Sequence, residues 1–176
     1  MPHRTFVTGF LAFGGISVNP SALLAASLGG PFELLEVSFA AVDAFLDRLD
    51  DSAPRFDLLL MLGLSAESGS IRFEQVARNY IGPTPDVRGL VRGPAPIEPG
   101  GPESLRTTLA RPTASLSSVL PSDDAGCYLC NYIYYRALRR FPGRQVGFVH
   151  IPRIEVFPPD AQRREVSRLI DALRTA

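Results

Sequence analysis

Leu58–Leu62 reads LLLML, an unbroken apolar run of strand length. Such a run suits a central β-strand that helices cover on both faces, because neither face then meets water. Gln145–Ile151 (QVGFVHI) is a second buried strand of the same kind. A chain with two of these is committed to an α/β architecture, and the patterns around them agree. Short β-rich runs alternate with helical spacing along the chain, which predicts a largely parallel sheet.

Arg4–Gly9 (RTFVTG) is a first strand. Asn19-Pro20 then supplies an N-cap and a proline at the first helical position, predicting a helix that runs to Leu28 and stops at Gly29-Gly30. Leu34–Phe39 reads as a second strand, and Val42, Phe45, Leu46 and Leu49 fall at i, i+3, i+4, i+7 of a helix. Ser70–Ala77 is strand-like throughout. Ile81–Pro102 is too rich in proline and glycine for regular structure, and a loop of that length in a compact domain is usually functional or mobile. Tyr128–Phe141 carries Ile133, Tyr134, Ala137, Leu138 and Phe141 on one helical face. Val166, Leu169, Ile170 and Leu173 mark a final amphipathic helix. At 176 residues, with no internal repeat, the whole chain reads as a single domain.

Charge narrows the function classes. Eighteen basic and eighteen acidic side chains cancel, with no basic stripe to grip nucleic acid or an anionic membrane. No apolar stretch approaches the roughly 18–20 residues that span a bilayer. Two cysteines are too few for a secreted disulfide framework, so the expectation is a soluble cytoplasmic protein.

The chain has only two histidines, His3 and His150. His3 precedes the first strand. His150 ends an otherwise apolar strand, and the carboxyl ends of parallel strands are where α/β sheets bind ligands. A histidine satisfied by one hydrogen bond at the core edge is the plain alternative. Cys130 falls in the first turn of the helix after Ala125-Gly126, where free N–H groups and the helix dipole favour thiolate. It could equally be an inert buried thiol. Cys127 and Cys130 also form a C-x-x-C, but a redox pair is disfavoured by Asp123-Asp124 just before it. Zinc would need four ligands, and Cys127, Cys130, His3 and His150 exhaust the soft ones.

Four segments, in order, carry a family resemblance. Thr8–Gly15 (TGFLAFGG) with Asn19-Pro20-Ser21, Phe73–Ala77 (FEQVA), Ala125–Asn131 (AGCYLCN) and Gly147–Pro152 (GFVHIP) resemble the signatures of the pyroglutamyl peptidase I family of cysteine peptidases. The resemblance implies a three-layer α/β/α sandwich around an open, twisted, mostly parallel sheet, commonly a homo-oligomer such as a tetramer. It implies removal of N-terminal pyroglutamate from a small peptide, with no metal or organic cofactor. It makes Cys130 the nucleophile, His150 its general base and Glu74 the group that orients the imidazole. Phe10 and Phe13 would sandwich the pyrrolidone ring, with Asn19 in the same substrate-binding set. From the residues alone, the two phenylalanines could be core, and Glu74 could be a solvent-facing carboxylate or one paired with Arg72 or Arg78.

The chain also departs from the family pattern. The family's loop arginine, which contributes to the oxyanion hole, has no counterpart in Asn79–Asp86; Arg88 and Arg92, further along, are the candidate substitutes. The turn Gly63–Gly69 (GLSAESG) is altered, and Asp123-Asp124 would disfavour thiolate at Cys130 unless neutralised. These departures leave two other readings open: a same-fold hydrolase for another small N-acyl or lactam substrate, and a non-catalytic binding or assembly module.

Overall fold

The computed structural model describes residues 4–51, 56–110 and 116–174; His3 lies outside them. The elements are β1 (Thr5–Phe10), α1 (Pro20–Ser27), β2 (Phe32–Leu35), α2 (Phe39–Asp51), β3 (Leu58–Leu64), β4 (Ile71–Glu74), β5 (Val76–Arg78), β6 (Ser104–Arg106), β7 (Val119–Ser122), α3 (Leu129–Arg140), β8 (Gln145–Ile151) and α4 (Pro159–Arg174). Six strands form the main sheet in the order β2-β1-β3-β8-β4-β7. All neighbours run parallel except β4 and β8. The two apolar runs sit side by side as β3 and β8 at the middle of the sheet.

Side chains alternate between the two faces, as the pleat requires. Leu59, Met61, Val146 and Phe148 point to one core, with α2 and α3 packed over it. Leu58, Leu60, Leu62, Val149 and Ile151 point to the other, beneath α1 and α4. This is the three-layer sandwich expected. No helix among the described residues is long and apolar enough to cross a membrane.

Two sequence expectations need correction. Leu34–Phe39 is not a strand: β2 ends at Leu35 and α2 starts at Phe39. Ser38 caps that helix, its hydroxyl accepting from the Ala41 N–H and its carbonyl from the Val42 N–H. Ser70–Ala77 is not one strand either. β4 belongs to the main sheet, whereas β5 pairs with β6 in a separate two-stranded sheet. The break falls at Gln75, whose N–H donates to the Ser122 carbonyl while its own carbonyl accepts from Thr107 N–H.

The stretch Ile81–Pro102 is irregular, as its composition dictates, but it is stitched to the body. Asp86 is buried, and its carboxylate accepts from the backbone N–H groups of Phe39, Arg88 and Leu90. Burial works against that charge, yet the three N–H donors outweigh it and hold the carboxyl below its usual range.

Between α1 and the sheet the approach is close. A Cβ on Gly9 would lie 2.4 Å from the Ser21 carbonyl oxygen, which is backbone and cannot swing aside. Ser21 is also fixed there, its hydroxyl accepting from Phe10 N–H at 3.0 Å. Gly9→Ala is therefore expected to lever α1 off β1 and cost about 2–3 kcal/mol. Urea unfolding would show this as a lower midpoint with an unchanged m-value.

Candidate active site

The sheet register assembles the predicted residues. In β8, His150 and Phe148 point to the same face, two residues apart. The antiparallel pairing sets Glu74 opposite Phe148, so Glu74 lies diagonally across from His150 on that face. His150 Nδ1 and Glu74 Oε1 are 2.8 Å apart. Glu74 is 0% exposed and His150 8%. An ionised carboxylate only accepts, so Nδ1 carries the proton and donates it into this bond. The Glu74 backbone is braced as well, its carbonyl accepting from the Tyr134 hydroxyl at 2.9 Å. Burial drives the Tyr134 phenol well above its ordinary range, so it stays a donor. Glu74 Oε2 is buried with no partner among the described residues.

The thiol arrives from the other direction. After Gly126, which takes a positive φ of 79°, the chain turns into α3 with Tyr128 as the N-cap residue. Cys130 is the second residue of that helix, where backbone N–H groups have no intrahelical acceptor and the dipole favours negative charge. Its sulfur occupies space that Gly63 leaves open in β3, directly opposite His150. A Cβ on Gly63 would lie 2.8 Å from Cys130 Sγ and 2.7 Å from the Phe148 ring. The next residue, Asn131, is fully buried and clamps the helix start to the β5 segment. It accepts from Arg78 N–H and donates to the carbonyls of Arg78 and Tyr80.

His150 lies between the other two groups. Burial penalises its charged form, but hydrogen bonds to the Cys130 side chain and to Glu74 outweigh that and raise its pKa to about 9. At neutral pH the ring is an imidazolium set between the Cys130 sulfur and the Glu74 carboxylate. Its contribution to stability is full below the ordinary 6.5 and is lost as pH rises through about 9. NMR titration should find a histidine near 9, falling back toward 6.5 in Cys130→Ala, and folding stability should decline between those two pH values.

Of the aspartates before the helix, Asp124 turns its carboxylate onto the Gly126 N–H at 3.1 Å, serving the turn. Asp123 lines a cavity with Gln75, Arg106, Thr107 and Ser122. Cys127 is exposed and Cys130 half-buried, and both are free thiols.

Phe10 ends β1 and is 3% exposed, within the core that Phe13 and Cys130 also pack against. Phe13 is half-buried and bridges to Ile16 in the turn between β1 and α1. Asn19 is buried at that turn. Its Oδ1 accepts from the Ser21 N–H and hydroxyl, and its Nδ2 donates to the Leu11 carbonyl. Its side chain thus braces the turn that carries Phe10 and Phe13.

The two arginines considered as replacements for the loop arginine are bound elsewhere. Arg88 pairs with Glu36 at 2.5 Å, and Arg92 with Asp43 at 2.8 Å while lying over the Phe39 ring. Gly63 and Asn131 are site-shaping residues that sequence reasoning missed. A glycine within an otherwise apolar strand was the available signal for the first, and the asparagine following the cysteine for the second.

An α/β/α sandwich that lines up thiol, imidazole and buried carboxylate at the carboxyl edge of its sheet has the groups that nucleophilic acyl transfer requires. Among known proteins, the pyroglutamyl peptidase family model matches residues 3–163, and the chain belongs to that family. The pyrrolidone-carboxylate peptidase of Pyrococcus furiosus is 31% identical over 174 aligned residues, covering 86% of this chain and 81% of the relative. The crystal structure of the pyrrolidone carboxyl peptidase from Thermus thermophilus superposes with a TM-score of 0.84 at 32% identity, over 97% of this chain and 100% of that one. Pyroglutamyl peptidase I of Bacillus amyloliquefaciens shares the fold at a TM-score of 0.86, with 22% identity over 99% and 98% of the two chains.

Proposed function

We propose that this chain is a cysteine peptidase that removes N-terminal pyroglutamate from small peptides, with Cys130, His150 and Glu74 as its triad. The observation that carries the reading is the buried 2.8 Å bond between His150 and Glu74, with the Cys130 sulfur against Gly63, the residue paired with His150 in the neighbouring strand. Glu74 keeps the proton on Nδ1 and stabilises the imidazolium. The Cys130 thiolate attacks the exocyclic carbonyl carbon of the pyroglutamyl residue, forming a C–S bond and a tetrahedral oxyanion. The Cys130 N–H, at the open start of α3, is a ready donor to that oxygen. Collapse breaks the C–N bond, and His150 Nε2 gives its proton to the departing amine. His150, now neutral, takes a proton from water as the hydroxide equivalent attacks the thioester, releasing pyroglutamate and restoring the thiolate pair.

Phe10 and Phe13 supply flat apolar surface for the pyrrolidone ring, and Asn19 holds their turn in place. The test is turnover of pyroglutamyl-aminomethylcoumarin against prolyl- and glutaminyl-aminomethylcoumarin. Release from the first alone supports the proposal; release from none by folded protein sinks it. The engagement of Arg88 and Arg92 with other carboxylates favours one competitor, a hydrolase for a different small N-acyl or lactam substrate that needs no arginine at the oxyanion. Release from other acyl-aminomethylcoumarins, with pyroglutamyl inert, would select it.

A further inference from the structure

At the carboxyl edge of the sheet, β4 begins where β8 ends, and the register sets Arg72 directly opposite His150. Glu74 is two residues further along β4, so Arg72 lies on the face that carries the triad. Directly opposed residues of an antiparallel pair place their Cβ atoms about 4.5–5.5 Å apart. Several guanidinium groups of the chain are tied to carboxylates, as at Arg88, Arg92 and Arg139. Arg72 differs: it is exposed, and its guanidinium has no partner among the described residues.

We infer that Arg72 is a specificity-determining residue that selects substrates with negative charge on the leaving half. The inference rests on the peptidase reading. In that reaction His150 protonates the departing amine, so the amine sits against the imidazole. The α-carbon, side chain and next carbonyl or carboxylate of the leaving residue then extend past His150, onto the strip of sheet edge that Arg72 occupies. A cation there favours pyroglutamyl dipeptides with a free carboxylate and peptides whose second residue is acidic. An arginine suits this because its planar fork can take a carboxylate through two parallel hydrogen bonds.

The test compares kcat/KM for pyroglutamyl-glutamyl and pyroglutamyl-glutaminyl peptides of equal length, with pyroglutamyl-aminomethylcoumarin as the neutral control. The protein should favour the acidic peptide by about 5–10-fold, the range between an exposed ion pair and a hydrogen bond to a charged group. Arg72→Gln should bring that ratio to about one and leave the coumarin substrate unchanged. An unchanged ratio, or an equal loss on all three substrates, overturns the assignment, the latter by making Arg72 part of the general machinery. A second measurement needs no turnover: alkylation of Cys130 by anionic iodoacetate against neutral iodoacetamide, read by mass spectrometry. That rate ratio should fall by a similar factor in Arg72→Gln. No peptide turnover with a falling alkylation ratio overturns the peptidase reading while keeping Arg72 as an anion-selecting group at this thiol; an unchanged alkylation ratio overturns Arg72 itself.

Discussion

Cys130→Ser is expected to lower kcat for pyroglutamyl-aminomethylcoumarin by roughly 10⁶-fold, the scale on which hydrolases lose turnover when their nucleophile is removed. A serine hydroxyl is far less acidic than a thiol and a far weaker nucleophile beside an imidazole. The oxygen is also smaller than the sulfur, which packs so close to Gly63 that a Cβ there would lie 2.8 Å from it. Cys127→Ser is the matched control, because Cys127 is exposed and has no place in the proposed chemistry. Its variant should keep full activity. Equal losses in both would mean that the two thiols act together, and the triad would have to be abandoned.

Glu74→Gln should reduce kcat by about 10²–10⁴-fold, the range associated with losing the carboxylate behind a catalytic imidazole. The amide still offers a carbonyl oxygen to the Nδ1–H, so the ring stays in place, but the negative charge that raises the histidine pKa is gone. The sign follows directly. With less stabilisation of the charged ring, the pKa of His150 falls, and less imidazolium is present at a given pH. The loss in kcat should therefore be accompanied by a lower histidine pKa by NMR, with far-ultraviolet circular dichroism unchanged. A variant with normal kcat would reduce Glu74 to a packing residue.

Much of the architecture was legible because the central strands carry their burial in their composition. LLLML and QVGFVHI have no polar position to offer water, and both lie in the middle of the sheet. The amphipathic helices were legible for a related reason: Val42, Phe45, Leu46 and Leu49 share a helical face and are all buried. What escaped was decided by partners rather than by local pattern. β6 and β7 are short and largely exposed, with a proline inside β7. The direction of β4 depends on its insertion between β8 and β7, which no periodicity encodes. Ser38 looks like any strand-end serine until its hydroxyl is seen over the amides of α2.

The site divides in the same way. Cys130, His150 and Glu74 were legible through motif resemblance, while spacing along the chain said nothing of their proximity, since 76 positions separate Glu74 from His150. Asn19 was readable as a cap from Asn-Pro alone, and its hydrogen bonds to Ser21 are those of a cap. Gly63 and Asn131 matter through what they touch: one leaves room for a sulfur, and the other gathers three backbone groups from the distant Arg78–Tyr80 segment. Neither property exists before the chain is folded.

The position of β8 has a consequence for synthesis. It is the last strand of the main sheet in chain order, yet it sits between β3 and β4. A ribosome that has made only the first 140 residues has produced Cys130 and Glu74 but not the strand that joins the two halves of the sheet. Until Gln145–Ile151 emerges, the cysteine has no imidazole and β3 and β4 have no common neighbour. On the proposed mechanism a nascent chain therefore carries no armed nucleophile, and completion of the sheet and arming of the thiol are one event.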